Sequence, residues 1–205
     1  MGRHTEATCK LCRREKEKLF LKGEKCFTEK CPFSKRSYAP GQHGRIPVRV
    51  SEFGIRLREK QKARRIYGLT ERQFERYFEE ASRKKGATGE KLLEFLERRL
   101  DNVGFRLGMA SSRQMARQMI HHGGIEVNGH KVDIPSYQVR EGDIIKVRPK
   151  YVPLVKAVRE KFPDHTPPPW LTISGETEGK VVAIPSREEI DIVLEEHLIV
   201  EYYSR

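Results

Sequence analysis

Long apolar stretches are missing from this chain of 205 residues, and no run approaches the ~18 residues that a membrane-crossing helix needs. A membrane-spanning role is therefore not expected. The first thirty residues are basic and polar, without the apolar segment of a secretory leader, so a cytoplasmic location is expected. Apolar residues make up 37% and aromatics 8%, with a single tryptophan, which suits modest cores beneath a large polar surface. Signatures of catalysis are also scarce. The sequence holds no G-x-x-x-x-G-K-[ST] loop and no clustered Asp/His/Ser arrangement, and it has no spare length for a catalytic domain, so no enzyme is expected. Cysteine is confined to four positions, the last of them Cys31.

Charge is what the chain has in excess. Lys and Arg number 41 against 29 Asp and Glu, giving a net charge of +12. The excess is graded: residues 1–50 carry +8, 51–100 carry +5, 101–150 carry +3, and 151–205 carry −4. A basic front with a mildly acidic tail implies a directed surface for a polyanion, of which nucleic acid is the foremost class.

Cys9, Cys12, Cys26 and Cys31 form a C-x2-C and C-x4-C arrangement. Two such pairs can close a tetrahedron of thiolates around one structural Zn2+ ion, with an iron–sulfur cluster as the alternative. Disulfides fit poorly with a chain that shows no secretion signal. Around them Leu11, Leu19, Phe20 and Leu21 offer too little apolar surface to fold unaided, so a metal would supply folding free energy there. The stretch Ala39-Pro40-Gly41-Gln42-His43-Gly44 that follows reads as an exposed turn able to approach phosphates, with Arg36, Arg45 and Arg49 nearby.

Ser51 predicts a helix cap and Gly68 a helix stop. On the intervening helix Phe53, Leu57 and Tyr67 are core candidates, while Arg56, Arg58, Lys60, Lys62, Arg64 and Arg65 crowd the other arc. Thr70 and Gln73 have capping-box spacing, and Phe74, Tyr77 and Phe78 beyond them form an apolar stripe. Thr88 opens a third helix on which Leu92, Leu96, Leu100 and Val103 make one buried line. Ser111 and Gln114 suggest a further capping box. Arg113, Arg117 and His121, four apart, then project as a cationic row. Ile125, Val127 and Val132 flank Asn128-Gly129, the strongest short-range hairpin signal. Residues 98–150 thus read as a small helix-plus-sheet module held on folded RNA by phosphate contacts. Beyond it lie a helix at Leu154–Phe162, a break at Pro167–Pro169, strand candidates at Trp170–Ile173 and Lys180–Ile184, and an apolar run at His197–Tyr203.

These features in this order resemble the zinc-binding form of the bacterial small-subunit ribosomal protein family numbered four. The resemblance rests on the four cysteines, Pro40-Gly41-Gln42-His43-Gly44, Leu57-Arg58-Glu59-Lys60-Gln61-Lys62, Arg65-Ile66-Tyr67-Gly68, Glu71-Arg72-Gln73-Phe74, Arg99-Leu100-Asp101-Asn102-Val103, Ala116-Arg117-Gln118, Val127-Asn128-Gly129 and the ending from Leu198 to Arg205. Met115 stands where the family commonly has Gln, and Gly124 where it has His. The resemblance implies an α+β fold: a helical domain (46–97 with 180–205), an inserted RNA-binding module with linker (98–179, core 98–150), and a zinc-stapled N-terminal extension (1–45). It implies a structural protein that binds the 5′ domain of 16S ribosomal RNA at a helix junction and starts assembly of the subunit body. It further implies neighbours in the third and fifth small-subunit proteins, and a place where messenger RNA enters the subunit, with Arg45 and Arg49 as candidates for that role. The candidate ribosomal RNA contacts are Arg3, Arg13, Arg14, Arg36, Gln42, His43, Arg58, Lys60, Lys62, Arg65, Arg72, Arg113, Gln114, Arg117, Gln118, His121 and Asn128. Two other classes compete: an RNA-modifying enzyme built on a similar module, and a zinc-dependent DNA-binding regulator.

Overall fold

A computed structural model describes residues 7–46 and 49–204. Arg3, one of the candidate RNA contacts, lies outside them. The first helices are α1 (Cys9–Glu15), α2 (Pro32–Lys35), α3 (Glu52–Ile66), α4 (Glu71–Ser82) and α5 (Thr88–Glu97), with a 3₁₀ turn at Gly23–Cys26. Next come α6 (Leu100–Arg106), α7 (Arg113–His121), β1 (Ile125–Val127), β2 (His130–Val132) and β3 (Ile144–Val147). The chain closes with α8 (Val152–Lys161), β4 (Leu171–Ile173), β5 (Glu178–Val181) and α9 (Glu196–Tyr203). Two compact units divide the chain, one up to Lys91 and again from Ile192 onward, the other Leu92–Asp191.

In the first unit the caps form where the sequence places them. The Ser51 hydroxyl accepts from the Gly54 amide at 3.2 Å, and Gly68 leaves α3 with φ +65°. Thr70 and Gln73 make the reciprocal capping box of α4, a pairing that satisfies two of the orphan amides of a helix start. The buried line of α3 differs from the expected one. It runs through Lys60, Ala63 and Ile66 to Tyr67, which is buried as expected, whereas Leu57 is half-buried and Phe53 is exposed and lies against Tyr202 at 5.6 Å. Lys60 is 2% exposed because α9 covers it: its ammonium meets Glu71 at 2.5 Å and lies 4.4 Å from the centre of the Tyr202 ring. Tyr203 of α9 stacks on Phe78 at 4.5 Å and donates its hydroxyl to Glu71 at 3.0 Å; of the aromatic stripe of α4, Phe74 is core as its helical spacing predicts, while Tyr77 and Phe78 are half-buried.

The second unit carries an antiparallel sheet in the order β2-β1-β3-β5-β4. Asn128 (φ +51°) and Gly129 (φ +79°) turn the chain between β1 and β2, with Val127 opposite His130 and Ile125 opposite Val132. Glycine accepts that backbone freely and Asn tolerates it. β5 pairs with β3 and β4, so residues 180–191 belong with this sheet and not with the helical domain, and the return begins at Ile192. The segment expected as a linker is likewise built in: Val155 of α8, Trp170 and Leu171 join the core with Ile125, Ile145 and Val147. Each fully buried side chain of this kind stabilises by about 1.5–3 kcal/mol.

The helix expected to run unbroken from Leu92 to Val103 is interrupted. Arg99 is extended (φ −66°, ψ 135°), forms a bridge with Gln138, and the next amide, Leu100, donates to the Tyr137 carbonyl at 2.9 Å. Leu92, Leu96, Leu100 and Val103 are still all buried. The Arg99 guanidinium, 1% exposed, grips Asp101 with two bonds of 3.0 and 2.6 Å, which satisfies its charge at the break.

Candidate nucleic-acid interface

Helix α7 starts one residue later than the capping signal implies. The Ser112 hydroxyl accepts from the Met115 amide at 3.3 Å, while Ser111 donates to the Met115 sulfur. Ala116, Met119 and Ile120 then face the core. The exposed side is Gln114, Gln118 and His121, continued by His122. The expected arginine row turns inward. Arg113 donates to Asn102 Oδ1 at 2.7 Å and lies over the Phe105 ring at 4.7 Å, and Arg117 approaches Asp101 at 3.6 Å. Asn102 in turn donates to buried Glu97, which also receives Arg106 at 3.1 Å. Burial works against the Arg106 charge, but Glu97 and Asp191, the latter at 2.5 Å, outweigh it and raise the pKa above its ordinary value. These charges fix α7 to α6 from beneath.

Cationic groups collect at the C-terminal end of α7, where helix carbonyls concentrate partial negative charge. The exposed Lys131 side chain from β2 packs over Gly123, close enough that its Cε lies 2.3 Å from where a Cβ would stand. Arg148 donates to the Gly123 carbonyl at 3.3 Å and pairs with Glu126 at 3.1 Å. With His121 and His122 they form an exposed patch of groups that suit phosphate. Lys131 and Arg148 escape sequence reasoning because only the hairpin and β3 bring them to the helix end, whereas His122 is the C-cap of α7 itself and directly follows His121. Asn128, a candidate RNA contact, is engaged within the sheet. Its side-chain nitrogen donates to Asp143 at 2.8 Å and its side-chain oxygen accepts from the Ile144 amide at 2.9 Å, tying the hairpin to β3.

In the first unit one buried carboxylate, Glu15, is shared by Arg58 at 3.3 Å and by Arg65. Burial, then the nearby Arg14, lowers the pKa of both guanidiniums. Lys62 pairs with Glu17 at 2.7 Å. Of this candidate group, Lys60 presents no ammonium to solvent, because Glu71 and the Tyr202 ring enclose it. Tyr38 organises the turn: Arg13 donates to the Tyr38 carbonyl at 3.0 Å, and Arg13 and Arg45 lie 5.1 and 4.7 Å from its ring centre. Arg45 also donates to the Tyr38 hydroxyl at 3.3 Å, a bond that leads the lowering of its pKa. Gly44 closes this turn against Ala39, whose carbonyl oxygen would lie 1.8 Å from any Cβ. Arg14, Arg36, Gln42, His43, Arg45, Arg49 and Arg72 are exposed.

The four cysteines are free thiols, with Cys12, Cys26 and Cys31 buried and Cys9 half-buried. Among the described residues no three His, Cys, Asp or Glu side chains converge tightly enough to form a metal site. The thiols nevertheless lie within electrostatic reach of one another. Burial first, and the other cysteines after it, raise the pKa of Cys12 and Cys26. At Cys31 burial is overcome by backbone bonds from Ser34 and Phe33, and the pKa falls. Backbone amides also reach the sulfurs of Cys12, from Leu19, and Cys26, from Lys22 at 3.3 Å. Amide donors to sulfur favour thiolates, the form in which cysteine binds metal.

Comparison with known proteins adds two family matches and a set of full-length relatives. Residues 3–97 match the ribosomal protein S4/S9 N-terminal domain, and residues 98–145 match the S4 domain. The small ribosomal subunit protein uS4 of Thermoanaerobacter sp. (strain X514) is 56% identical over 206 residues, covering 100% of both chains. Those of Pelotomaculum thermopropionicum and Desulforamulus reducens are 55% and 57% identical over 208 residues, again with 100% of both chains covered. Among the described residues no helix is long and apolar enough to cross a membrane.

Proposed function

The chain belongs to the uS4 family of bacterial small ribosomal subunit proteins, and we propose that it holds a junction of the 16S ribosomal RNA 5′ domain in shape while the subunit body assembles. It is a structural, non-enzymatic protein that binds ribosomal RNA in the small subunit, and its α+β fold joins a helical domain to an S4 domain with an antiparallel sheet. The observation that carries the proposal is the outer face of α7. Gln114, Gln118 and His121 stand in solvent on a helix whose opposite face is core, beside the exposed Lys131. Amides and imidazoles there can meet base edges and 2′-hydroxyls, and the cations can meet phosphates. Arg14, Arg36 and Arg72 supply phosphate contacts from the helical domain, and affinity falls steeply with salt as counterions are released.

In the same proposal Cys9, Cys12, Cys26 and Cys31 hold one structural Zn2+ ion, supported by their spacing, by the burial of three of them and by the amide-to-sulfur bonds. That ion fastens the N-terminal segment. Arg45, stacked on Tyr38, and Arg49 contact messenger RNA where it enters the subunit, next to the third and fifth small-subunit proteins. Chemical footprinting of the full chain on naked 16S ribosomal RNA tests the main proposal. Protections are expected to cluster at one multi-helix junction of the 5′ domain, and the absence of protection at low ionic strength would overturn it.

A further inference from the structure

Two phenylalanines in the cysteine-bearing segment stand out in solvent. Phe27 is 67% exposed and Phe20 42%, and their ring centres lie 5.1 Å apart with the planes 31° from parallel. Phe20 reaches this position by an uncommon backbone: its φ is +49°, a left-handed conformation that is rare for a bulky side chain. Leu19 and Leu21 on either side are buried, so the turn at Phe20 throws one ring outward between two anchored neighbours. Phe27 follows buried Cys26, whose sulfur accepts the Lys22 amide, and this fixes the second ring beside the first. Burying both rings would be the default outcome for residues of this size. The fold holds them out instead.

The surroundings of the pair are charged. Lys22 and Lys25 are exposed in the same turn. Glu24 and Glu29 are exposed there as well. Protein interfaces deplete Lys and Glu around an aromatic anchor, whereas single-stranded nucleic acid requires an aromatic face for the base and cations for the flanking phosphates. We infer that Phe27, backed by Phe20, is a stacking platform for one unpaired nucleobase of the ribosomal RNA, with Lys22 and Lys25 on its phosphates. The inference deepens the proposed RNA-binding function and rests on it, because the ligand is the same RNA. It adds a contact by ring face, insensitive to salt, at a point distant in sequence from the S4 domain.

The test uses the full chain and a transcript of the 16S ribosomal RNA 5′ domain, with affinity measured over a range of salt. Phe27→Leu keeps an apolar side chain but removes the ring, and affinity should fall by about 5- to 150-fold, the range for loss of one stacked base. The slope of log affinity against log salt should stay unchanged, since no phosphate contact is lost. Phe27→Trp should bind as the wild type does, which separates stacking from a folding defect. Lys22→Ala should instead lower the slope by about one. Wild-type affinity in Phe27→Leu, an equal loss in Phe27→Trp, or a changed slope in Phe27→Leu would each overturn the platform. Failure of the wild type to bind the transcript would remove the underlying RNA-binding function, and the platform with it.

Discussion

Replacement of Arg113 by Ala separates the two roles an arginine on α7 can have. As a phosphate contact, its loss would leave the fold intact and lower the salt slope of RNA binding by about one. The structure gives it an internal role. Its Nε donates to Asn102 at 2.7 Å, and its guanidinium lies 4.7 Å from the Phe105 ring centre. A charge-assisted hydrogen bond contributes about 1.5–3 kcal/mol when buried, and Arg113 is only half-buried, so the low end applies. The cation–π contact adds about 0.5–1 kcal/mol. Together the loss is about 2 kcal/mol, which corresponds to a roughly 30-fold rise in the opening equilibrium of α7. Hydrogen exchange of the α7 amides in the RNA-free protein reads that opening directly. Arg113→Ala should therefore exchange about 30-fold faster along α7, with the salt slope unchanged. Lys131→Ala should do the reverse: exchange as in the wild type, since exposed substitutions stay within about 0.5 kcal/mol, and a slope lower by about one. Unaltered exchange in Arg113→Ala together with a reduced slope would refute the internal role and restore the sequence expectation.

Three further outcomes follow from the same contacts. Burial raises the Glu71 pKa, but the Lys60 ammonium and the Tyr203 hydroxyl outweigh it and hold it below the ordinary value, while burial and then Glu71 push Tyr203 up. Glu71 therefore stabilises the seat of α9 above the unfolded carboxyl value of about 4, an effect lost as pH falls through the lower folded value; Tyr203 does so below about 10, lost as pH rises through its higher folded value. Exchange protection of α9 should fade at both ends of this window, and flat protection would refute the coupling. Zinc removal by a chelator, or Cys9→Ser with Cys12→Ser, should raise exchange across residues 7–46 and leave residues 92–191 unchanged. Elemental analysis of the native protein should find one zinc, and iron or no metal would end that assignment. Gly124→His should destabilise the second unit by about 1–3 kcal/mol in denaturant unfolding, because a Cβ there meets the Met119 side chain at 2.7 Å and the Met119 carbonyl oxygen and Tyr151 ring at 2.9 Å. An unchanged midpoint would refute this steric reading of the site.

What the sequence makes legible here are the features whose partners lie within a few residues. Ser51 with Gly54, Thr70 with Gln73, and the Asn128-Gly129 turn are local arrangements, and each forms as its spacing predicts. The exposed face of α7 is half legible: Gln114, Gln118 and His121 point outward as candidate contacts, but spacing by four places Arg113 and Arg117 with them when their partners, Asn102 and Asp101, lie on α6. The same distance in sequence hides the break at Arg99, which exists to pair with residues near 138 and leaves no glycine or proline as a mark. Lys60 is the sharpest instance. In the sequence it is one cation among six on a basic helix arc, and only the return of α9, more than 130 residues later, encloses it between Glu71 and Tyr202. A basic composition thus predicts that a polyanion is bound, while long-range ion pairing engages several of the basic side chains within the fold. That is why the proposed RNA surface lies at Lys131, at the outer side of α7, at the exposed arginines and at Phe27 with its neighbouring lysines, and not along every basic stretch.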